Sequence, residues 1–114
     1  MRELQGKVAV VTGAGSGIGL AVSRRLATEG MRLVLADVEE PALEKAAAEL
    51  AEATEVIAVP TDVSQWSSVD ELRARAVERF GSVHLVHNNA GVGAGGLLWE
   101  TTDTDWQWVL GVNL

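Results

Sequence analysis

Short apolar runs alternate with amphipathic stretches along the chain, and this alternation limits the possible folds more than any other feature of the sequence. Four of the runs are short, apolar on both sides and rich in β-branched residues, as buried parallel strands are. They cover residues 8–11, 33–36, 55–59 and 83–86. Apolar residues at helical spacing follow each run. The sequence therefore predicts an α/β fold in which helices cover both faces of a parallel sheet.

The expected topology is a doubly wound Rossmann sheet with the strand order 3-2-1-4, because right-handed crossovers leave few alternatives. The last predicted helix runs through Trp106, Val109 and Leu110, with Thr102 or Asp103 as its N-cap. With these four strands only, the apolar fourth strand would form an exposed edge of the sheet.

The segment VVTGAGSGIG, residues 10–19, places four glycines in its last seven positions. Glycine inside a regular element costs about 0.5–1 kcal/mol relative to alanine, so this density requires a ligand or an unusual backbone path. The segment joins the first strand to the first helix, at the edge where doubly wound sheets bind ligands. Free N–H groups at the start of that helix suit a phosphate.

The glycine spacing excludes two common phosphate loops. The G-x-G-x-x-G fingerprint would require glycine where Ile18 or Leu20 stands, and no Gly-Lys-Ser/Thr of a P-loop follows. The spacing that fits is Thr-Gly-x-x-x-Gly-x-Gly, formed by Thr12, Gly13, Gly17 and Gly19. The alternative interpretation of these glycines is an ordinary tight turn with close packing of helix on strand.

Three further motifs accompany the glycines in order: Asp62-Val63, Asn88-Asn89-Ala90-Gly91 and Val112-Asn113-Leu114. With them, the chain from Lys7 onward resembles the short-chain dehydrogenase/reductase family. The resemblance implies an NAD-dependent oxidoreductase that transfers a hydride between nicotinamide and a small-molecule alcohol or ketone. It also implies that residues 1–114 are the N-terminal part of a single dinucleotide-binding domain.

The resemblance assigns cofactor-binding roles to several positions. The loop residues implied to contact the pyrophosphate or the nicotinamide are Gly13, Ser16, Gly17, Ile18 and Gly19. The residues implied to contact or border the adenosine are Asp62, Val63, Asn89, Ala90 and Gly91. Asn113 resembles the catalytic-tetrad asparagine, whose backbone carbonyl holds a water of the proton relay. For Asp62 the alternative is a capping role in a helix beginning near Ser64, and for Asn113 a polar position within a helix.

Asp37 ends the second predicted strand, and an acidic residue there can accept hydrogen bonds from the ribose hydroxyls of adenosine. Its charge would repel the 2′-phosphate of NADP, and Ala14, Ser16 and Val38 supply no compensating cation. NAD is therefore preferred over NADP. The alternative is a carboxylate that is merely solvated at a strand end. Thr12 is expected to bond toward the Asn89 segment.

The chain contains no tyrosine. The family's chemistry uses a serine, a tyrosine and a lysine that follow the asparagine motif, so we expect a truncated, catalytically inactive N-terminal half. One alternative is a dinucleotide-binding module that has lost its chemistry. Another is an S-adenosylmethionine-dependent methyltransferase, whose G-x-G-x-G loop matches residues 13–17, although Gly19 and the Asn88–Gly91 motif oppose it.

The net charge of −7 argues against nucleic acid or an anionic membrane as a partner. No metal site is expected, because there is no cysteine and the two histidines, His84 and His87, are interpreted as packing residues. No apolar run reaches a membrane-spanning length of about 20 residues, which favours a cytoplasmic protein. In the family that the chain resembles, the helix expected to carry Trp106 and Trp108 helps to form dimers. The resemblance therefore implies a homo-oligomer in the full-length form.

Overall fold

The computed structural model describes residues 4–88, 95–102 and 105–112. The elements in chain order are β1 (Val8–Thr12), α1 (Gly17–Thr28), β2 (Arg32–Asp37), α2 (Glu40–Leu50), β3 (Val56–Pro60), α3 (Trp66–Phe80), β4 (Leu85–Asn88), β5 (Gly95–Thr102) and β6 (Asp105–Val112). The strands form one sheet in the order β3-β2-β1-β4-β5-β6. β1, β2, β3 and β4 are parallel, which confirms the predicted Rossmann order 3-2-1-4.

β1 lies between β2 and β4, and all five of its residues are buried. Alternate residues of the strand point to opposite faces of the sheet. Val8 and Val10 pack in the cluster that contains Leu72 of α3, whereas Ala9 packs in the cluster that contains the apolar residues of α1 and α2. This division places α3 on one face and the other two helices on the opposite face, as a doubly wound sheet requires.

The segment predicted as the last helix forms two strands instead. β5 pairs antiparallel with β4, and β6 pairs antiparallel with β5. Trp106 and Leu110 therefore lie in a strand, and Thr102 ends β5 rather than capping a helix. The apolar residues at positions 106, 108, 110 and 112 also have the period of two that a strand requires, and aromatic and β-branched residues favour strands. The same segment thus fits both a helical spacing and the alternation of a strand, and the prediction of a helix was wrong because it used only the first.

The same pairing corrects the prediction that β4 is an exposed edge, because β5 covers its free side. It also removes the helix on which the expectation of a homo-oligomer depended. Residues 91–96 are rich in glycine and follow the fourth predicted strand, which predicts a loop there, but Gly95 and Gly96 belong to β5. The other residues of this segment lie outside the described part of the chain, as does the alternative cap Asp103.

Two element boundaries differ from the predicted ones for local reasons. β4 begins at Leu85, two residues later than predicted, because the His84 ring takes the Val8 N–H that the strand ladder would otherwise bind. The helix expected to begin near Ser64, with Ser64 as its N-cap, is α3, and its N-cap is Gln65. Ser64 instead binds the Asp62 carboxylate in a turn before the helix.

Candidate functional site

The turn from β1 to α1 is shaped by glycines at three positions. Gly13 and Gly17 have φ angles of 63° and 58°, in the left-handed region that other residues adopt only with strain. A Cβ on Gly19 would overlap the carbonyl oxygen of Gly13 and lie 2.7 Å from its carbonyl carbon. The loop therefore needs glycine at 19 for close approach and at 13 and 17 for its backbone path.

The first turn of α1 presents its backbone without a side chain to cap it. Ser16 is the N-cap but makes no side-chain capping bond, and the first turn contains no acidic residue. The first four N–H groups of a helix have no partner within the helix, so this end favours an anion. Ile18 is 54% exposed beside it. The loop is fixed to the sheet by the N–H of Ala14, which donates to the Ala36 carbonyl at 3.0 Å.

Asp37 lies at the carboxyl end of β2, and backbone donors bind both oxygens of its carboxylate. Oδ2 accepts the N–H of Gly15 at 2.9 Å, and Oδ1 accepts the N–H of Glu39 at 3.0 Å. The first donor belongs to the glycine loop and the second to the turn that begins α2. The structure thus brings together Asp37 and the loop, which are separated by 22 positions in the chain.

Asp62 follows β3 and organises the turn before α3. Its Oδ1 accepts the Ser64 hydroxyl at 2.6 Å and the Ser64 N–H at 3.0 Å, while its own N–H donates to the Ser68 hydroxyl at 2.9 Å. The two bonds from Ser64 hold the pKa of the Asp62 carboxyl below its usual range. Val63 packs its side chain against the cluster beneath α3. The carboxylate of Asp62 is exposed at the same sheet edge as Asp37.

The ends of β1 and β4 are joined by a buried side-chain hydrogen bond. The Thr12 hydroxyl donates to Oδ1 of Asn88 at 2.6 Å. This bond closes the sheet at the point where helices change faces, next to the glycine loop. Four of the predicted site residues lie outside the described part of the chain: Asn89, Ala90, Gly91 and Asn113.

The two histidines lie in or beside β4. His84 accepts the Val8 N–H on Nδ1 at 3.0 Å, and burial together with the charges of Lys7 and Arg32 lowers its pKa. Burial also lowers the pKa of His87. Among the buried side-chain polar atoms of the described residues, Nδ1 of His87 alone lacks a hydrogen-bond partner.

Among residues 4–88, three large apolar residues are exposed, and each follows the carboxyl end of a parallel strand. Ile18 comes after β1, Val38 after β2 and Trp66 after β3, with exposed fractions of 54%, 65% and 70%. This edge of the sheet therefore combines apolar surface with an uncapped helix end and a carboxylate. Doubly wound sheets bind their ligands at the same edge.

Sequence reasoning missed two polar partners at this edge, the N–H of Gly15 and the hydroxyl of Ser68. A Ser six residues after a strand-end Asp gives only a weak signal. The sequence around Gly15 contains no signal for its hydrogen bond, because the acceptor, Asp37, lies at the end of a different strand. Within residues 4–88 and the two last strands, no group of acidic or histidine side chains is arranged to hold a metal ion. None of the helices described there has the length and apolar character needed to cross a bilayer.

Comparisons with known proteins agree with this geometry. The sequence model of the short chain dehydrogenase family matches residues 7–114. The CLA biosynthesis dehydrogenase/reductase of Lactiplantibacillus plantarum is 37% identical, over 100% of this chain and 40% of that protein. A short chain dehydrogenase/reductase from Burkholderia phymatum, solved in complex with NAD, superposes with a TM-score of 0.78 at 57% identity, covering 84% of this chain and 34% of its own.

L-sorbose reductase from Gluconobacter frateurii, solved with NADPH and L-sorbose, has a TM-score of 0.77 at 38% identity. That match covers 83% of this chain and 37% of the reductase. The chain therefore spans less than half the length of each of these three relatives.

Proposed function

The chain belongs to the short chain dehydrogenase family. From this membership we propose that it is the cofactor-binding portion of an NAD-dependent oxidoreductase. The proposed substrate of the oxidoreductase is a small-molecule alcohol or ketone. The observation that carries the proposal is the hydrogen bond from the Gly15 N–H to Asp37 Oδ2. It fixes a carboxylate beside a glycine loop and an uncapped helix end, the combination that a dinucleotide needs. Family membership decides against the methyltransferase alternative.

The pyrophosphate is proposed to bind at the start of α1. Gly13 and Gly17 adopt left-handed φ angles, and a Cβ on Gly17 would meet no other atom within 4 Å. That open space lets a phosphate approach the backbone N–H groups. The contact residues proposed there are Gly13, Ser16, Gly17, Ile18 and Gly19.

The adenosine is proposed to extend from this loop along the carboxyl ends of β2 and β3. Asp37 would accept the ribose hydroxyls, and the exposed side chain of Val38 would offer apolar surface to the adenine. Asp62 and Val63 would contact the adenine from β3. Asn89, Ala90 and Gly91 are assigned to the adenosine border by resemblance to the family.

NAD is proposed as the preferred cofactor because of the charges around Asp37. Glu39 and Glu40 follow it at the start of α2, so the carboxyl end of β2 leads into a negatively charged segment. Related structures contain NAD in one case and NADPH in another, so the preference is argued from the charges of this chain. A further negative charge on the ribose would be repelled by these negative side chains.

Catalysis is proposed to require residues that these 114 positions do not supply. When bound, the nicotinamide ring accepts or donates the hydride, and the protein orients it. By resemblance, Asn113 would contribute a backbone carbonyl to the proton relay. The chain has no tyrosine to act as the family's acid or base. We therefore expect the chain alone to bind dinucleotide without oxidising alcohols, which keeps a catalytically inactive binding module as the second candidate.

The test is a fluorescence titration of the purified protein with NADH and NADPH, repeated with Asp37→Ala. We expect the unaltered protein to bind NADH more tightly than NADPH. In Asp37→Ala, the difference between the two dissociation constants should be smaller. Equal or tighter NADPH binding by the unaltered protein would overturn the cofactor assignment. A parallel assay for NADH formation with a panel of alcohols is expected to stay at background. Turnover by a preparation whose intact mass confirms 114 residues would contradict the proposed inactivity.

A further inference from the structure

The orientation of the Asp37 carboxylate is set from two sides. The glycine loop contributes the N–H of Gly15 at 2.9 Å, and the turn into α2 contributes the N–H of Glu39 at 3.0 Å. Hydrogen bonds to an ionised acceptor are stronger than neutral ones, so both donors restrain the carboxylate. Its remaining lone pairs consequently face a fixed direction.

Gly15 is a glycine for reasons of space and not of backbone conformation. Positive φ angles occur at Gly6, Gly13, Gly17, Gly30 and Gly81 among the described glycines, and Gly15 is not one of them. A Cβ on Gly15 would lie 3.0 Å from the Cβ of Ala42, 3.2 Å from the Ala42 carbonyl carbon and 3.0 Å from Asp37 Oδ2. These separations are shorter than ordinary van der Waals contact. Helix α2 therefore leaves no free space for a side chain at position 15, where the loop binds Asp37.

Gly15 and Ala42 also line the same groove, which has a volume of about 290 Å³ and lies between α1 and α2. Ala42 is half-buried there, one residue after the proline in the first turn of α2. The methyl group of Ala42 occupies the space that a side chain on Gly15 would need, beside the hydrogen bond from Gly15 to Asp37.

We propose that Gly15 and Ala42 form a positioning pair that fixes the Asp37 carboxylate for the ribose diol, so that the choice of cofactor depends on α2 as well as on Asp37. This inference rests on the proposed function. Hydrogen bonds to the ribose hydroxyls depend on direction and short distance, whereas repulsion of a 2′-phosphate depends mainly on charge. A displaced Asp37 therefore loses affinity for NADH and keeps most of its repulsion of NADPH.

The first experiment measures dissociation constants of NADH and NADPH by fluorescence for Gly15→Ala, Ala42→Gly and the double variant. Gly15→Ala is expected to weaken NADH binding about threefold to tenfold, the effect of impairing a charged hydrogen bond, and to leave NADPH binding nearly unchanged. Ala42→Gly in the same chain is expected to restore part of the loss, because it removes the nearest methyl group. A uniform loss for both cofactors, or no rescue, overturns the positioning role.

The second experiment places Gly15→Ala in the Asp37→Ala background, where the pair has no carboxylate to position. The expected result is no further change in the ratio of the two dissociation constants. If Asp37→Ala alone leaves both constants unchanged, the proposed ribose contact fails. If Asp37→Ala acts as proposed and Gly15→Ala adds its full effect to it, only the positioning inference fails.

Ala42→Val provides an approach from the other side of the contact, should Gly15→Ala not fold. Its added methyl groups would press on Gly15 and are expected to shift the ratio in the same direction as Gly15→Ala. Ala48→Val is the matched control, since Ala48 is an exposed position of the same helix. A change in the ratio with Ala48→Val, or none with Ala42→Val, would contradict the inference.

Discussion

His84 binds Val8 with both its backbone and its side chain: the His84 N–H donates to the Val8 carbonyl at 2.9 Å, and the ring Nδ1 accepts the Val8 N–H at 3.0 Å. The ring thus replaces one step of the sheet ladder just before β4 begins. A protonated imidazole has no acceptor nitrogen, so the bond requires the neutral ring. Burial and the nearby charges of Lys7 and Arg32 keep the ring neutral by lowering its pKa.

This contact predicts a loss of stability in weak acid. The pKa of His84 is lower in the folded state than in the unfolded chain, so the unfolded state binds more protons as pH falls through the unfolded value of about 6.5. The free energy of unfolding should be constant above about pH 7 and fall below it, by an amount of the order of 1 kcal/mol for one hydrogen bond. Urea denaturation between pH 5 and pH 8 would measure it.

The control for that measurement is His84→Gln, which does not titrate in this range. In this variant, the free energy of unfolding should depend less on pH between about pH 5 and 7. The remaining pH dependence would come from His87, because burial lowers the pKa of that ring as well. A slope identical to that of the unaltered protein would show that His84 does not carry the effect.

Gly17→Ala separates backbone strain from ligand binding, because the chain contains a matched control. Gly17 and Gly81 both have positive φ angles, 58° and 85°, and an added Cβ meets nothing within 4 Å at either position. Each alanine is expected to cost about 1–2 kcal/mol of stability. Only Gly17→Ala should also weaken NADH binding, because Gly81 ends α3 away from the proposed site. Equal NADH affinity in the two variants would mean that the phosphate loop has been misplaced.

Thr12 and Asn88 should show energetic coupling in a double-mutant cycle. Thr12→Val keeps the shape of the side chain and removes the hydroxyl that donates to Asn88 Oδ1. Each single change is expected to destabilise the protein, and the coupling energy should be about 0.5–1.5 kcal/mol, the net contribution of a buried hydrogen bond. Chemical denaturation of Thr12→Val, Asn88→Leu and the double variant gives the number. Additive effects would contradict a direct interaction.

Ser64→Ala should raise the pKa of Asp62 toward its usual value. The Ser64 hydroxyl bond is the main cause of the lowered pKa, and the Ser64 N–H adds a smaller contribution that the variant retains. Because the pKa is lower in the folded state, the ionised carboxylate stabilises the turn at pH values above the unfolded pKa of about 3.9. This stabilisation is lost as the pH falls through the lower, folded pKa. NMR titration of the side-chain carboxyl would measure the shift, with Ser67→Ala as an exposed control in α3. An unchanged Asp62 pKa in Ser64→Ala would contradict the assignment.

The four parallel strands could be predicted because each is a short apolar run flanked by a helical stripe, as with Val8 and Val10 before α1. The last strand could not, because residues 106–112 satisfy two periods at once and pairing with β5 decides between them. The positions of Asp37 and the glycine loop followed from topology. The Gly15 bond to Asp37 and the His84 ring bond to Val8 did not, because they depend on distances across 22 and 76 residues that local patterns do not contain.

The Thr12–Asn88 hydrogen bond joins residues that are 76 positions apart. Closing so long a loop costs chain entropy before the contact it allows can form, and folds that depend on distant contacts assemble slowly. We expect this bond to be absent from the folding transition state and to form last. A chain emerging from the ribosome would have β1 and the glycine loop long before Asn88 appears. The edge proposed to bind dinucleotide would thus become rigid late in synthesis, and its protection from proteases would report that folding is complete.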